Sequence, residues 1–135
     1  MGYFNYNNKR VYYDEFGTGT PLLLLHGNTA SSNMFAKIAE RYRKDFKVIL
    51  IDFLGHGKSD RLNEFPADLW FNEAEQVIAF LREKQYTKTN IIGSSGGALV
   101  AMNVALEAPD LVNKVIADSF EGDKPIKAIT DNIVL

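Results

Sequence analysis

Four short apolar runs, at residues 22–25, 48–51, 91–92 and 115–117, show no alternation with polar residues. A strand wetted on one face alternates apolar with polar. Unbroken runs of this length therefore suit strands buried on both faces, as in a parallel sheet covered by helices. The stretches between them carry a helical period instead. Met34, Phe35, Ile38, Ala39 and Tyr42 share one face, with Ser31 or Ser32 placed to cap its N-terminus. Trp70, Ala74, Val77, Ile78 and Leu81 form a second stripe opposite Glu73, Gln76, Arg82 and Glu83, with Pro66 as the starting residue. From 97 to 106 nearly every residue is apolar or small, which predicts a helix enclosed by protein and stopped at Pro109. Strand–helix–strand repeated three times implies right-handed crossovers, so the expected class is α/β with a mostly parallel sheet and helices on both faces. Ahead of it, 2–6 and 11–16 are aromatic and β-branched around Asn7-Asn8-Lys9, which predicts an antiparallel hairpin.

Composition narrows the function. With 46% hydrophobic and 24% charged residues, the 135-residue chain is one globular domain at most rather than a disordered segment. Fifteen Lys and Arg against seventeen Asp and Glu give a net charge of −2, which argues against nucleic-acid binding by phosphate neutralisation. The absence of cysteine excludes a disulfide framework, thiol catalysis and cysteine-ligated metal. Histidine chemistry has two candidates, His26 and His56. No signal-like start and no membrane-length apolar run is present, so a cytoplasmic protein without membrane association is expected.

In α/β folds, chemistry sits at the carboxyl ends of the parallel strands. Three motifs lie there. Gly93-Ser94-Ser95-Gly96-Gly97 is a G-x-S-x-G sequence directly after Asn90-Ile91-Ile92 and directly before the enclosed helix. This is the context of a nucleophile elbow, in which Ser95 takes a positive φ and the flanking glycines allow strand and helix to converge. His26-Gly27-Asn28 follows the first parallel strand. A turn there supplies one backbone N–H for an oxyanion, at Asn28, and Gly96 supplies the other. His26 itself reads as a structural residue of the turn. Asp52-Phe53-Leu54-Gly55-His56-Gly57-Lys58-Ser59 follows the next strand. Its Gly57-Lys58-Ser59 is like the end of a phosphate-binding loop, but Asp52 stands where the first glycine should be, which argues against the nucleotide reading. His56 also reads as a turn residue. Arg41, Arg43, Lys44 and Lys47 read as a solvated helix end, and Trp70, Phe71 and Phe80 as core.

The ordered set of His26-Gly27, Asp52-x-x-Gly55-His56-Gly57-x-Ser59 and Gly93-x-Ser95-x-Gly97 resembles the α/β-hydrolase superfamily from the leading hairpin to about Asp118. The resemblance implies a serine hydrolase acting on a carboxylic ester or similar acyl substrate. Ser95 would be the nucleophile, with Asn28 and Gly96 as oxyanion donors. Dehalogenase relatives use Asp as nucleophile, so Ser95 favours ester-type chemistry. The family order is nucleophile, acid, histidine, yet no histidine follows Ser95. Asp118, at the end of the last parallel strand, is the candidate acid. The expected division is 1–118 as the front of the hydrolase core, truncated after a sixth strand, and 119–135 as the start of a cap or connecting helix. In that last stretch Ile126, Ile129, Ile133 and Val134 have helix-like spacing. Such a chain should have an open sheet edge beside 115–117, suited to self-association or to a complementing C-terminal segment. No motif implies a metal or an organic cofactor. The alternative is a binding or regulatory protein that keeps the fold without turnover.

Overall fold

A computed structural model describes residues 2–26, 35–118 and 133–134. They form a seven-stranded sheet in the order β1-β2-β4-β3-β5-β6-β7. Strands β1 (Gly2–Tyr6) and β2 (Lys9–Phe16) make the expected hairpin, with Phe4 opposite Val11. Its two-residue loop has Asn7 at φ 50° and Asn8 at φ 64°. That mirror-image turn matches the right-handed twist of paired strands, and asparagine tolerates it best after glycine. Lys9 belongs to the strand, not the turn.

β2 runs antiparallel to β4 (Phe46–Asp52), and from there the sheet is parallel: β4 beside β3 (Thr20–Leu25), then β5 (Thr89–Ser94), β6 (Val112–Asp118) and β7 (Ile133–Val134). Helices α1 (Ala36–Tyr42), α2 (Leu69–Lys84) and α3 (Gly96–Glu107) form the crossovers. Alternate residues of each strand serve opposite faces. Leu22, Leu24, Val48 and Leu50 pack with Phe35 and Ala39 at α1. Leu23, Leu25, Ile49 and Ile51 pack with Ala74, Val77, Val100 and Val104 of α2 and α3. Full burial of each such aliphatic side chain is worth about 1.5–3 kcal/mol, which is why the strand runs contain no polar member.

Four expectations need correction. Glu73 and Gln76 do not face solvent: both are buried, because α2 packs against the turn after β4 as well as against the sheet. Pro66 does not open α2, which starts at Leu69 with Asp68 at the N-cap position. Phe71 is exposed, whereas Phe80 is fully buried and Trp70 is half-buried. Ile38 is exposed because Phe35, Ala39 and Tyr42, at i, i+4 and i+7, occupy the buried line of a two-turn helix. Ser31, Ser32 and Met34 lie outside the described residues.

The sheet edge also differs from expectation. Ile133–Val134 is extended, pairing Ile133 with Val115 and Val134 with Ile116. β6 is therefore not an open edge at those positions. Two adjacent β-branched residues suit a strand at least as well as a helix face, so the spacing alone could not decide. The remaining positions of the expected cap segment, 119–132 and 135, lie outside the described residues. Among the described residues no helix is long and apolar enough to cross a membrane.

Candidate active site

Ser95 is the single residue between β5 and α3. Its backbone has φ 56° and ψ −121°. A non-glycine residue held there costs about 1–3 kcal/mol and persists only where its surroundings dictate the conformation. The surroundings here are backbone. A Cβ at Gly93 would run into the carbonyl of Gly97, and one at Gly97 would run into the carbonyl oxygens of Leu25 and His26. The ends of β3 and β5 and the first turn of α3 thus converge with no room for a side chain at either glycine. The Ser95 carbonyl accepts the N–H of Ala98 at 2.9 Å, which starts the helix. Ser95 is exposed, while Gly96, Gly97 and Ala98 behind it are buried. The first N–H groups of an α-helix have no intrahelical partner and carry its positive dipole end, so negative charge developing at this point is favoured.

The other expected site residues are placed unequally. Asn28 lies outside the described residues. The end of β3 reaches the turn nonetheless, since Leu25 is opposite Gly93 in register and His26 contributes a carbonyl to the convergence. Asp118 pairs with Ser94, which puts its backbone one strand over from the residue preceding Ser95.

Both histidines are engaged with backbone. His26 is buried and its Nε2 accepts the N–H of Phe53 at 3.1 Å. His56, also buried, donates from Nδ1 to the carbonyl of Leu54 at 3.1 Å, and the two rings lie 5.0 Å apart. The turn they support is locked by its own side chains. Asp52 Oδ2 accepts the N–H of Lys58 at 3.0 Å, and Gly57, at φ 50°, passes so close that a Cβ would strike this carboxylate. Ser59 Oγ donates to the Asp52 carbonyl and accepts the N–H of Tyr12 at 2.7 Å. The Lys58 ammonium lies over the Tyr12 ring at 4.9 Å. The amide and ammonium of Lys58 are thus both engaged within the fold.

A sequence profile for the alpha/beta hydrolase fold matches residues 20–132. The chain belongs to the alpha/beta hydrolase family. It is 30% identical over 128 residues to the pimeloyl-[acyl-carrier protein] methyl ester esterase of Vibrio parahaemolyticus, covering 92% of this chain and 48% of that enzyme. It is 31% identical over 115 residues to haloalkane dehalogenase 2 of Mycobacterium tuberculosis, covering 84% of this chain and 40% of that protein. Among solved structures it is similar to Est816, described as an N-acyl homoserine lactone degrading enzyme, with TM-score 0.81 and 25% identity. That match covers 87% of this chain and 45% of Est816. The chain spans less than half the length of each of these three proteins.

Two buried polar side chains on α2 that face the turn after β4 escaped the sequence reading. Gln76 Oε1 accepts the N–H of Leu54 at 3.0 Å, and its Nε2 donates to Asn72 Oδ1 at 2.9 Å. Glu73 faces His56, with Oε2 4.0 Å from Nδ1 and both side chains 2% exposed. Burial pushes the Glu73 carboxyl up to about 8, so it is largely protonated at neutral pH. One signal was available: Glu73 and Gln76 stand four residues before Val77 and Phe80, which widens the apolar arc to include them. Among the described residues no group of three His, Cys, Asp or Glu side chains is placed to hold a metal ion.

Proposed function

We propose that this chain carries the nucleophile of a serine hydrolase acting on a carboxylic ester or a similar acyl substrate. Ser95 Oγ attacks the acyl carbon, the N–H groups of Gly96 and Asn28 receive the oxyanion, and Asp118 is the acid of the triad. The observation that carries this reading is the strained, exposed Ser95 backbone at the N-terminus of a buried helix. A hydroxyl nucleophile suits acyl transfer rather than the displacement of halide, so the esterase relatives are the better guide to substrate class.

A serine hydroxyl needs a neighbouring base to attack at neutral pH. No histidine follows Ser95 in the sequence, and His26 and His56 each have a ring nitrogen bonded to backbone. The base is therefore assigned to polypeptide matching the half of the relatives' length that this chain does not span. Co-expression with the C-terminal half of the pimeloyl-[acyl-carrier protein] methyl ester esterase should allow a fluorophosphonate probe to label the wild type but not Ser95→Ala. Equal labelling of the two would defeat the assignment. The 135-residue chain alone should hydrolyse p-nitrophenyl acetate no faster than Ser95→Ala. A burst that depends on Ser95 would place a base within the chain.

The backbone engagement of both histidines favours one second reading, a binding or regulatory protein that keeps the hydrolase fold. It predicts that a small ester-like ligand raises the melting temperature while turnover stays absent after complementation.

A further inference from the structure

Beneath the turn at 53–59, side chains that can carry a proton or a charge converge from four directions. His26 enters from the end of β3, Asp52 from the end of β4, His56 from the turn itself and Glu73 from α2. Arg61 closes the outer side, its guanidinium donating to the carbonyls of Gly55 and Gly57. The Phe65 ring covers His56 at a centroid distance of 5.4 Å. Three of the inner groups hydrogen-bond to backbone: His26 with Phe53, Asp52 with Lys58 and His56 with Leu54. Glu73 is different. Its Oε2 is fully enclosed and accepts no hydrogen bond, and the group facing it is the His56 ring 4.0 Å away.

We propose that Glu73 and His56 form a proton-operated latch that sets how firmly the turn at 53–59 is held against α2. A protonated carboxyl rests in this enclosure at modest cost. An ionised one would have no donor at Oε2, and a buried unpaired charge is among the most costly features a fold can contain. The cost falls if the turn lifts and admits water. Lifting frees the Leu54 N–H from Gln76 and the Leu54 carbonyl from His56 together. Loss of one proton is thereby linked to release of a whole turn.

The direction follows from linkage. In the unfolded chain Glu73 ionises near the ordinary value of 4.5, whereas in the folded chain burial raises it to about 8. Folding therefore takes up a proton in that window. Stability is highest on the acid side, falls as pH rises from about 4.5 to about 8, and levels beyond it.

Trp70, the only tryptophan, lies on the same helix three residues before Glu73 and is half-buried against the core, so it reports on this site. Trp70 emission, amide protection at Leu54 and His56, and the carbon-13 carboxyl resonance of Glu73 should titrate together in the full 135-residue chain. The expected midpoint lies well above the ordinary carboxylate range. The unfolding constant should rise by up to about tenfold per pH unit within the window. Glu73→Gln keeps the shape of the protonated acid, so it should fold and lose this dependence, with turn protection flat from pH 5 to 9. A Glu73 carboxyl resonance with its midpoint between 4 and 5 would overturn the latch. So would Trp70 and turn amides that titrate in Glu73→Gln as they do in the wild type. Ser95→Ala should titrate like the wild type, so this inference fails or survives apart from the hydrolytic reading.

Discussion

The turns that follow β5 and β4 are built from the same materials and do opposite things. Each leaves the carboxyl end of a parallel strand, and each needs glycines because another part of the chain passes too close for a Cβ. After β4, the polar groups are turned inward. Asp52 binds Lys58, Ser59 joins Asp52 to Tyr12, Gln76 holds Leu54 and His26 holds Phe53. After β5, the close contacts are between backbone atoms, and Ser95 is left exposed in a backbone conformation that only its surroundings enforce. Satisfied hydrogen bonds make a support. Strain joined to exposure makes a place where chemistry can occur, since the energy that holds the residue comes from the scaffold behind it.

The comparison breaks first at its glycines. Gly97→Ala puts a methyl group against the carbonyls of Leu25 and His26, and backbone in the centre of a sheet cannot step aside. Urea denaturation should show a loss of about 3 kcal/mol or more, the upper range for overpacking. If Gly97→Ala were within 1 kcal/mol of wild type, the convergence of β3, β5 and α3 described above would be wrong.

The turn after β4 should respond less, because one lost side chain leaves the rest of the network. Ser59→Ala strands both the Tyr12 N–H and one acceptor position on the Asp52 carbonyl in a buried site. A cost of about 1–3 kcal/mol is expected from the unpaired groups. Gln76→Leu should fall in the same range, about 1–3 kcal/mol, by orphaning the Leu54 N–H. An effect below 0.5 kcal/mol for both would mean that water replaces these side chains and that the turn is not the closed support it is taken to be.

How much of this was legible depends on what kind of physics each feature uses. The parallel strands could be read because burial on both faces leaves a mark at every position of 22–25 and 48–51. The Ser95 turn could be read because glycine at 93 and 97 is the local consequence of the convergence it sits in. Glu73 and Gln76 could not be placed from periodicity alone, because the width of a buried helix arc is set by what packs on it. Here that is a turn about twenty residues away in the chain. The network through Ser59 was invisible for the same reason: its partner Tyr12 is 47 residues distant. The pairing of Ile133 and Val134 with β6 was misjudged because their spacing fits a helix and their side chains fit a strand, and only the neighbouring edge at Val115 and Ile116 decides.

The smallest expected effect separates the two turns most sharply, because its sign is reversed. Glycine takes a positive φ without the Cβ penalty that Ser95 bears. Ser95→Gly should therefore release part of the strain held at φ 56°. Against this, glycine loses more backbone freedom on folding, about 0.5–1 kcal/mol. With about half of a strain term of about 1–3 kcal/mol released, the net expectation in urea denaturation is a gain of up to about 1 kcal/mol. Ser95→Ala keeps the Cβ and hence the strain, so it should stay within about 0.5 kcal/mol of wild type. Stability that rises in Ser95→Gly, stays level in Ser95→Ala and falls in Ser59→Ala would mark residue 95 as held against its own preference. A Ser95→Gly protein less stable than Ser95→Ala would show instead that the turn is relaxed, and would remove the physical ground for treating this serine as different from any other on the surface.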